Sequence, residues 1–366
     1  MQRLSKGAKM SNEEILNSLQ SVIYPGFKKS IVDFGFVKST DPKIVVEITS
    51  AKPEVAQTIK NEIEKLNLGK EIEIIAPKPQ TQQSNSQSGK NIAPQIKNFV
   101  MVSSGKGGVG KSTTTLNLAI SLAKQGKKVG LLDADIYGPN IPRMLGVQGR
   151  QPEVEGQKLK PLQTHGIEMM SMGLLIEDGQ GLMWRGAMIM KAITQLLNEV
   201  LWSELDILLL DMPPGTGDAQ ITLAQSVPVT AGICVTTPQT VALDDSARSL
   251  DMFEKLHIPV AGVIENMSGF ICPDNGKEYD IFGKGGADAL ASEYDTTILA
   301  QIPIEPSVRI GGDSGKPVSF YEPNSISAKR YDEAATKLWK IIEDINANGG
   351  ADNSAIQPDM NKSGCH

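Results

Sequence analysis

From residue 98 onward, short runs of apolar side chains alternate with longer stretches in which apolar residues recur at helical spacing. The short runs predict strands at 99–103, 128–132, 207–210, 231–235, 260–265 and 297–301. The longer stretches predict helices at 112–125, 187–199, 240–256 and 286–293. Apolar strands that alternate with helices are typical of a mostly parallel sheet with helices on both faces. We therefore predict an α/β domain over residues 98–345, followed by a polar tail over 346–366.

The first part of the chain predicts a second, smaller α/β domain at residues 11–76. Its helical pattern starts near Ser11, a plausible N-cap, and puts Ile15 and Leu19 on one face. A β-rich segment, a second helix and a last strand follow at 44–49, 54–66 and 71–75. Residues 77–97 are rich in Gln, Ser and Pro and predict a flexible linker. Two domains also suit a chain of 366 residues, which exceeds one typical core.

Residues 105–113 match the phosphate-binding pattern G-x-x-x-x-G-K-[ST] in full, between a predicted strand and a predicted helix. Glycines let the backbone wrap tightly, so that successive amides and the helix N-terminus point at phosphate oxygens. We expect Lys111 to reach the β- and γ-phosphates of ATP and the Ser112 hydroxyl to ligate Mg²⁺. The fold class is then that of a P-loop NTPase. The predicted nucleotide-binding residues of the loop are Gly105, Lys106, Gly107, Gly108, Val109, Gly110, Lys111, Ser112 and Thr113.

Carboxylates stand where two further predicted strands end. Asp211 is predicted to support Mg²⁺, and the nearby Gly215 to offer its amide to the γ-phosphate. Asp133 is predicted to join the magnesium shell and Asp135 to position the attacking water, because phosphoryl transfer depends on positioning and charge neutralisation. The alternatives are an ordinary strand-end carboxylate for Asp211 and helix capping for Asp133 or Asp135.

Composition narrows the possible partners and the compartment. The net charge of −6, without a long basic run, argues against nucleic acid as the main partner. No apolar run is long enough to cross a membrane, and residues 1–10 lack the apolar core of a secretory signal, although a short presequence or a start at Met10 remains open. The spacing of the three cysteines, Cys234, Cys272 and Cys365, suggests no disulfide framework, which favours a cytoplasmic location.

Lys106 gives the loop the form K-G-G-V-G-K-[ST]. This form resembles the deviant phosphate-binding loop of partition ATPases, division-site ATPases and the nitrogenase iron protein. The resemblance implies a homodimer in which Lys106 crosses the interface and brings positive charge to the partner's nucleotide, as an arginine finger does. A solvated loop lysine is the alternative.

Within that class, residues 133–142, 211–218, 265–268 and 281–287 resemble the Mrp/ApbC iron–sulfur carrier branch. The likeness covers roughly residues 98–342, and residues 11–76 resemble a small module of other iron–sulfur assembly proteins. The resemblance implies a homodimer with weak ATP hydrolysis that works with an assembly scaffold and hands an iron–sulfur cluster to apo-protein recipients. It also implies that Asn266 contacts the adenine.

The chain departs from the branch at its cluster site. The family carries C-x-x-C after the Asn-Met-Ser stretch, and two subunits together hold a bridging [4Fe–4S] cluster with four thiolates. Here Cys272 is present, but Asn275 stands in the second cysteine's place. An amide is a poor substitute for a soft thiolate on iron. Cys234 lies in a predicted core strand and Cys365 in the polar tail, where it is free to reach a shared cluster or to remain unused.

Two hypotheses therefore remain for the function. The first is an ATP-dependent iron–sulfur carrier with Cys272 as a cluster ligand. The second is an ATP-switched dimer that positions other proteins without a cluster. The polar C-terminus lacks the amphipathic membrane helix that a division-site ATPase uses. A metabolic kinase is poorly supported, because no acceptor-binding signature is present.

Overall fold

The computed structural model describes residues 11–25, 29–48, 50, 53–76, 91–135, 138–175, 186–215 and 217–350. These residues form two compact units, one containing 11–76 with 344–350 and the other containing 91–343. Residues 91–97, at the end of the predicted linker, belong to the second unit, where Ala93 and Ile96 are buried. Among the described residues, no helix has both the length and the apolar character needed to cross a membrane.

The first unit is a three-stranded sheet packed against two helices. Its elements are α1 (Asn12–Leu19), β1 (Val37–Ser39), β2 (Ile44–Glu47), α2 (Pro53–Lys65) and β3 (Ile72–Ile75). Strand β2 is central, antiparallel to β1 and parallel to β3. Helix α1 begins as predicted, because Ser11 and Glu14 form a reciprocal capping box. Apolar side chains of both helices, including Ile15, Leu19 and Ile59, are buried on the sheet.

The second unit contains a large sheet with helices between its parallel strands. Its elements, in chain order, are β4 (Phe99–Ser103), α3 (Lys111–Lys124), β5 (Val129–Asp133), α4 (Ile141–Met144), β6 (Val154–Glu155), β7 (Lys158–Leu159), β8 (Leu162–Thr164), β9 (Ile167–Ser171), α5 (Gly186–Asn198), β10 (Ile207–Asp211), α6 (Asp218–Ser226), β11 (Val229–Thr236), α7 (Thr240–Lys255), β12 (Val260–Ile271), β13 (Glu278–Tyr279), α8 (Ala287–Glu293), β14 (Ile298–Ile304), α9 (Pro306–Ser314), α10 (Val318–Tyr321) and α11 (Ile326–Ala347).

The strand order of the described sheet is β13-β12-β11-β4-β10-β5-β9-β8, with β14 also paired to β12. All neighbours are parallel except the two edge pairs, β12–β13 and β8–β9. Strands β4, β5, β10 and β11 are buried along their whole length, as expected for a sheet covered on both faces. The predicted α/β class with a mostly parallel sheet is confirmed.

The structure differs from the sequence-based prediction in the end of one strand and in several elements that were not predicted. Strand β12 runs to Ile271 rather than ending at 265, because an irregularity after Asn266 lets it continue. Strands β1, β6 to β9 and β13 and helices α4, α6, α9, α10 and α11 were not predicted. Of the predicted polar tail, residues 351–366 lie outside the described residues.

Candidate nucleotide site and cysteine hairpin

The phosphate-binding loop joins the end of β4 to the start of α3. Gly108 and Gly110 have φ angles of 85° and 83°, in the left-handed region that favours glycine. A Cβ atom on Gly110 would lie 2.1 Å from the Asn266 Nδ2 atom, and one on Gly105 would lie 2.1 Å from the Asp245 carbonyl carbon. The glycines are therefore required both by the backbone turn and by the close approach of neighbouring segments.

Lys111, the first residue of α3, points its ammonium group at two carboxylates. Its Nζ atom lies 2.8 Å from Asp211 Oδ1 and 3.7 Å from Asp135 Oδ2. The lysine side chain is only 6% exposed. A buried cation at the start of a helix, beside backbone amides, is well placed to bind phosphate oxygens.

Asp211 ends strand β10 and binds three side chains of α3. Besides Lys111, it accepts a 2.6 Å hydrogen bond from Ser112 Oγ and a 2.8 Å hydrogen bond from Thr115 Oγ1. The hydroxyl of Ser112 and the carboxylate of Asp211 are hard oxygen donors that suit Mg²⁺ together with phosphate oxygens. Within the described part of the chain, no group of three or more His, Cys, Asp or Glu side chains is placed to hold a metal ion. Oxygens of water or of a bound nucleotide would complete the shell of a magnesium ion at this position.

Asp133 lies beside Asp211, because the two residues are register partners at the ends of β5 and β10. Complete burial, followed by the charge of Asp211, raises the pKa of Asp133 to about 8, although a hydrogen bond from Ser171 opposes the shift. The Asp133 Oδ1 atom also accepts the Asp135 amide at 3.3 Å. Neither aspartate caps the next described helix, since the N-cap of α4 is Asn140, so the capping alternative is wrong for α4.

A cavity of about 600 Å³ opens beside the loop. Lys106, Lys111, Ser112 and Asp135 line this nucleotide cavity, together with residues of β12, of the segment before α8 and of α9. The predicted residues Gly107, Gly108, Gly110, Thr113 and Asn266 also line it, whereas Gly105, Val109, Asp133, Asp211 and Gly215 are not among its lining residues.

Two of the predicted nucleotide-binding residues, Asn266 and Gly215, already have backbone partners. Asn266 donates a 2.8 Å hydrogen bond from Nδ2 to the Val109 carbonyl, and so ties β12 to the phosphate-binding loop. The amide of Gly215 donates a 2.8 Å hydrogen bond to the Ser104 carbonyl. A γ-phosphate contact by Gly215 would require that bond to be exchanged, and the contact stays a prediction.

Cys272 directly follows β12, at the start of the turn between β12 and β13. The Cys272 amide donates to the Lys277 carbonyl, and the Gly276 amide donates to the Cys272 carbonyl, both at 2.9 Å. Asn275 stabilises the same turn, because its Oδ1 atom accepts the Lys277 amide at 2.9 Å. Asn275, which stands where the family has its second cysteine, is exposed, and its side chain is part of the turn. We call residues 270–279 the cysteine hairpin.

The other two cysteines differ from Cys272. Cys234 is fully buried in β11, and burial raises the pKa of its thiol to about 12, which makes it an inert core side chain as predicted. Cys365 lies outside the described residues. Cys272, which is half-buried, is the accessible thiol within the described part of the chain.

Comparison with known proteins decides the family. The model of the ParA group described as "NUBPL iron-transfer P-loop NTPase" matches residues 95–339. The chain belongs to this family. Other proteins are similar to this chain over nearly their full length. An iron-sulfur cluster carrier protein of Helicobacter pylori is 50% identical over 362 residues, which are 95% of this chain and 98% of that protein.

Two further relatives agree with the assignment to the iron-transfer NTPase family. An iron-sulfur cluster carrier protein of Synechocystis is 41% identical over 347 residues, covering 91% of this chain and 97% of the relative. A nucleotide-binding protein of Archaeoglobus fulgidus, solved in complex with ADP, is 36% identical with a TM-score of 0.56. That likeness covers 65% of this chain and 94% of the solved chain. The predicted carrier branch is therefore confirmed.

Sequence reasoning missed two residues of this iron-transfer NTPase site. Thr115 lies one helical turn after Lys111, and this spacing could have placed its hydroxyl beside Asp211. Glu265 is a buried carboxylate that receives hydrogen bonds from a segment about 20 residues further on. No local pattern marks that contact, although both segments lie in the stretches that carry the family resemblance.

Proposed function

We propose that this chain is an ATP-dependent iron–sulfur cluster carrier that works as a homodimer and delivers its cluster to apo-proteins. The observation that carries the proposal is the connection between two sites: β12 holds the phosphate-binding loop through Asn266 and ends at the accessible thiol of Cys272. The names of the relatives that are 41% and 50% identical point to the same activity. They disfavour the alternative of a positioning ATPase without a cluster.

In the proposed cycle, ATP enters the nucleotide cavity with its phosphates on the loop amides. Lys111 then neutralises the β- and γ-phosphates, and Ser112 and Asp211 hold Mg²⁺. Magnesium held by Ser112 and Asp211 would supply positive charge that offsets the developing charge on the phosphoryl group. Asp135, whose carboxylate lies at the cavity wall near Lys111, orients the attacking water.

Hydrolysis is proposed to be slow because Lys106 of a partner copy must complete the positive charge around the reacting phosphate. Lys106 is half-buried at the rim of the cavity, where a partner copy would bring its own Lys106 toward this nucleotide. Charge supplied in this way acts on the transition state rather than on ground-state binding.

Replacing Lys106 should separate binding from turnover. Lys106→Ala is expected to bind ATP within about threefold of the wild type but to hydrolyse it at least about a hundredfold more slowly, since fingers of this kind contribute about 10³–10⁵. Equilibrium binding of a fluorescent ATP analogue and phosphate release measure the two effects. Hydrolysis by Lys106→Ala at the wild-type rate would remove the role in trans.

The cargo is proposed to be held by Cys272 thiolates from both copies. A dimer offers two such thiolates, and the remaining iron positions need ligands from elsewhere, such as Cys365 or the cysteines of a recipient. Transfer is then a ligand exchange, in which recipient thiolates replace the Cys272 thiolates on iron without any change in oxidation state. A cluster with few protein ligands suits a carrier, because it leaves easily.

Anaerobic reconstitution with iron and sulfide tests the carrier proposal. The wild type should develop the visible charge-transfer band and retain iron, and Cys272→Ser should lose both, because the only accessible described thiol is gone. Cys365→Ser is the matched control that shows whether the tail thiol is a ligand. A wild type that binds no cluster under these conditions contradicts the carrier function.

A reducing cytoplasm is the proposed location.

A further inference from the structure

The carboxylate of Glu265 is completely buried at the end of the regular part of β12, and it receives three hydrogen bonds. Its Oε1 atom accepts Ser268 Oγ at 2.5 Å and the Gly285 amide at 2.8 Å, and its Oε2 atom accepts the Ala287 amide at 2.7 Å. These bonds compensate for the burial of a charge. They also join two segments that are far apart in the sequence.

The first segment is an irregularity in β12. The register of β12 against β14 shifts between Asn266 and Phe270, and Met267 has a φ angle of 56°, which is unfavourable for a residue other than glycine. The hydrogen bond from Ser268 to Glu265 spans this irregularity. Met267 lines the nucleotide cavity, so Glu265 helps to fix one part of the cavity wall.

The second segment is the glycine-rich loop 282–286. Phe282, at its start, also lines the nucleotide cavity. Lys284 forms a 2.5 Å ion pair with Glu278, which belongs to β13 of the cysteine hairpin. Glu278 is in turn the register partner of Ile271, the neighbour of Cys272. The glycine-rich loop therefore contacts the nucleotide cavity through one residue and the cysteine hairpin through another.

We propose that Glu265 is a positioning residue that couples occupancy of the nucleotide cavity to the state of Cys272. A ligand in the cavity contacts Met267 and Phe282, which belong to the two segments that Glu265 holds together. When a ligand restricts the motion of these two segments, the motion of the cysteine hairpin is restricted as well. The connections are β12 itself and the ion pair between Lys284 and Glu278. This inference rests on the proposed function, since it concerns the residue that is proposed to hold the cargo.

Alkylation of Cys272 in the full-length apo-protein tests the coupling. The background is Cys365→Ser, and Cys234 does not react because it is buried and its pKa is raised to about 12. Saturating ADP is expected to slow the reaction of Cys272 with iodoacetamide at least about fivefold, the lower end of ordinary coupling between two sites. In Glu265→Gln the ratio of rates with and without ADP should fall to about 1, because an amide nitrogen replaces one of the accepting oxygens.

Matched variants make the outcome decisive. Glu293→Gln, which removes an exposed carboxylate at the end of α8, should keep the wild-type ratio. Ser268→Ala removes only the bond across the irregularity and should give an intermediate ratio, so it decides the question if Glu265→Gln does not fold. ADP is titrated into every variant to find its saturating concentration, and the alkylation rates are compared at that concentration. A lower ratio of rates then reports lost coupling and not weaker binding of ADP.

Three results would overturn the inference. One is a wild type whose Cys272 reacts equally fast with and without ADP, and another is a folded Glu265→Gln protein that keeps the full ratio. The third is a ratio that disappears on tenfold dilution, which would assign the protection to dimer formation. The test uses no iron, so its failure and a failed cluster reconstitution are distinguishable.

Discussion

Lys111→Ala is expected to lower the affinity for ATP at least about a hundredfold and to abolish its hydrolysis. The lysine is the buried cation of the nucleotide cavity, with its ammonium group 2.8 Å from Asp211 Oδ1. Hydrogen bonds to charged groups contribute about 1.5–3 kcal/mol each, and contacts to two phosphates therefore account for about two or more decades of affinity. Equilibrium titration with a fluorescent ATP analogue measures the loss directly.

The control for Lys111→Ala lies on the same helix. Lys124→Ala removes a partly exposed lysine in the last turn of α3, where it pairs with Asp332, and should leave ATP binding unchanged. Thermal unfolding of both variants checks the fold, because Asp211 keeps its bonds from Ser112 and Thr115 when Lys111 is removed. Undiminished binding or turnover by Lys111→Ala would contradict the assignment of the phosphate site.

Asn275→Cys is expected to increase the iron retained per dimer and to slow its loss to a chelator at least about tenfold. The substitution adds one thiolate per subunit at the exposed turn that begins with Cys272. Mutation of residues that hydrogen-bond to metal ligands changes the affinity for the metal by about 10–100-fold. An added ligand should change the affinity for iron at least as much. The cost to the fold is small, about 0.5–1.5 kcal/mol for the lost hydrogen bond to the Lys277 amide.

Asn275→Ser separates the two effects of that change. It removes the same amide side chain without adding a thiol, and should retain as much iron as the wild type. Iron content and the rate of bleaching by a chelator after anaerobic reconstitution compare the three proteins. If Asn275→Cys holds iron no better than Asn275→Ser, the cysteine hairpin is not the place where the cluster binds.

The fold class could be predicted because its signals are local. An apolar run such as 207–210 between helical stretches indicates a buried parallel strand wherever it occurs. Edge elements carry weaker signals: β8 is only partly buried and β6 is exposed, so neither has a continuous apolar run. Helix α11 was missed although it is 22 residues long and its buried residues recur at helical spacing, as at Ala328, Tyr331, Ala335, Leu338 and Ile342.

Two kinds of site residue could be predicted: those that follow one another in the sequence, and those at the ends of neighbouring strands. The loop from Gly105 is one continuous motif, and Asp133 and Asp211 meet because parallel strands end at the same edge of the sheet. The bonds from Glu265 to Gly285 and Ala287 join segments about 20 residues apart. Such contacts depend on how a strand irregularity and a loop pack, which no local pattern specifies.

The ion pair between Lys111 and Asp211 also bears on product release. A buried ammonium group that lost its phosphates would be costly if no anion replaced them. In this structure Asp211 supplies that anion at 2.8 Å, inside the same protein. In the proposed cycle, departure of ADP therefore exchanges one ion pair for another and leaves no bare charge. The empty site therefore avoids the electrostatic cost that a buried, unpaired ammonium group would impose.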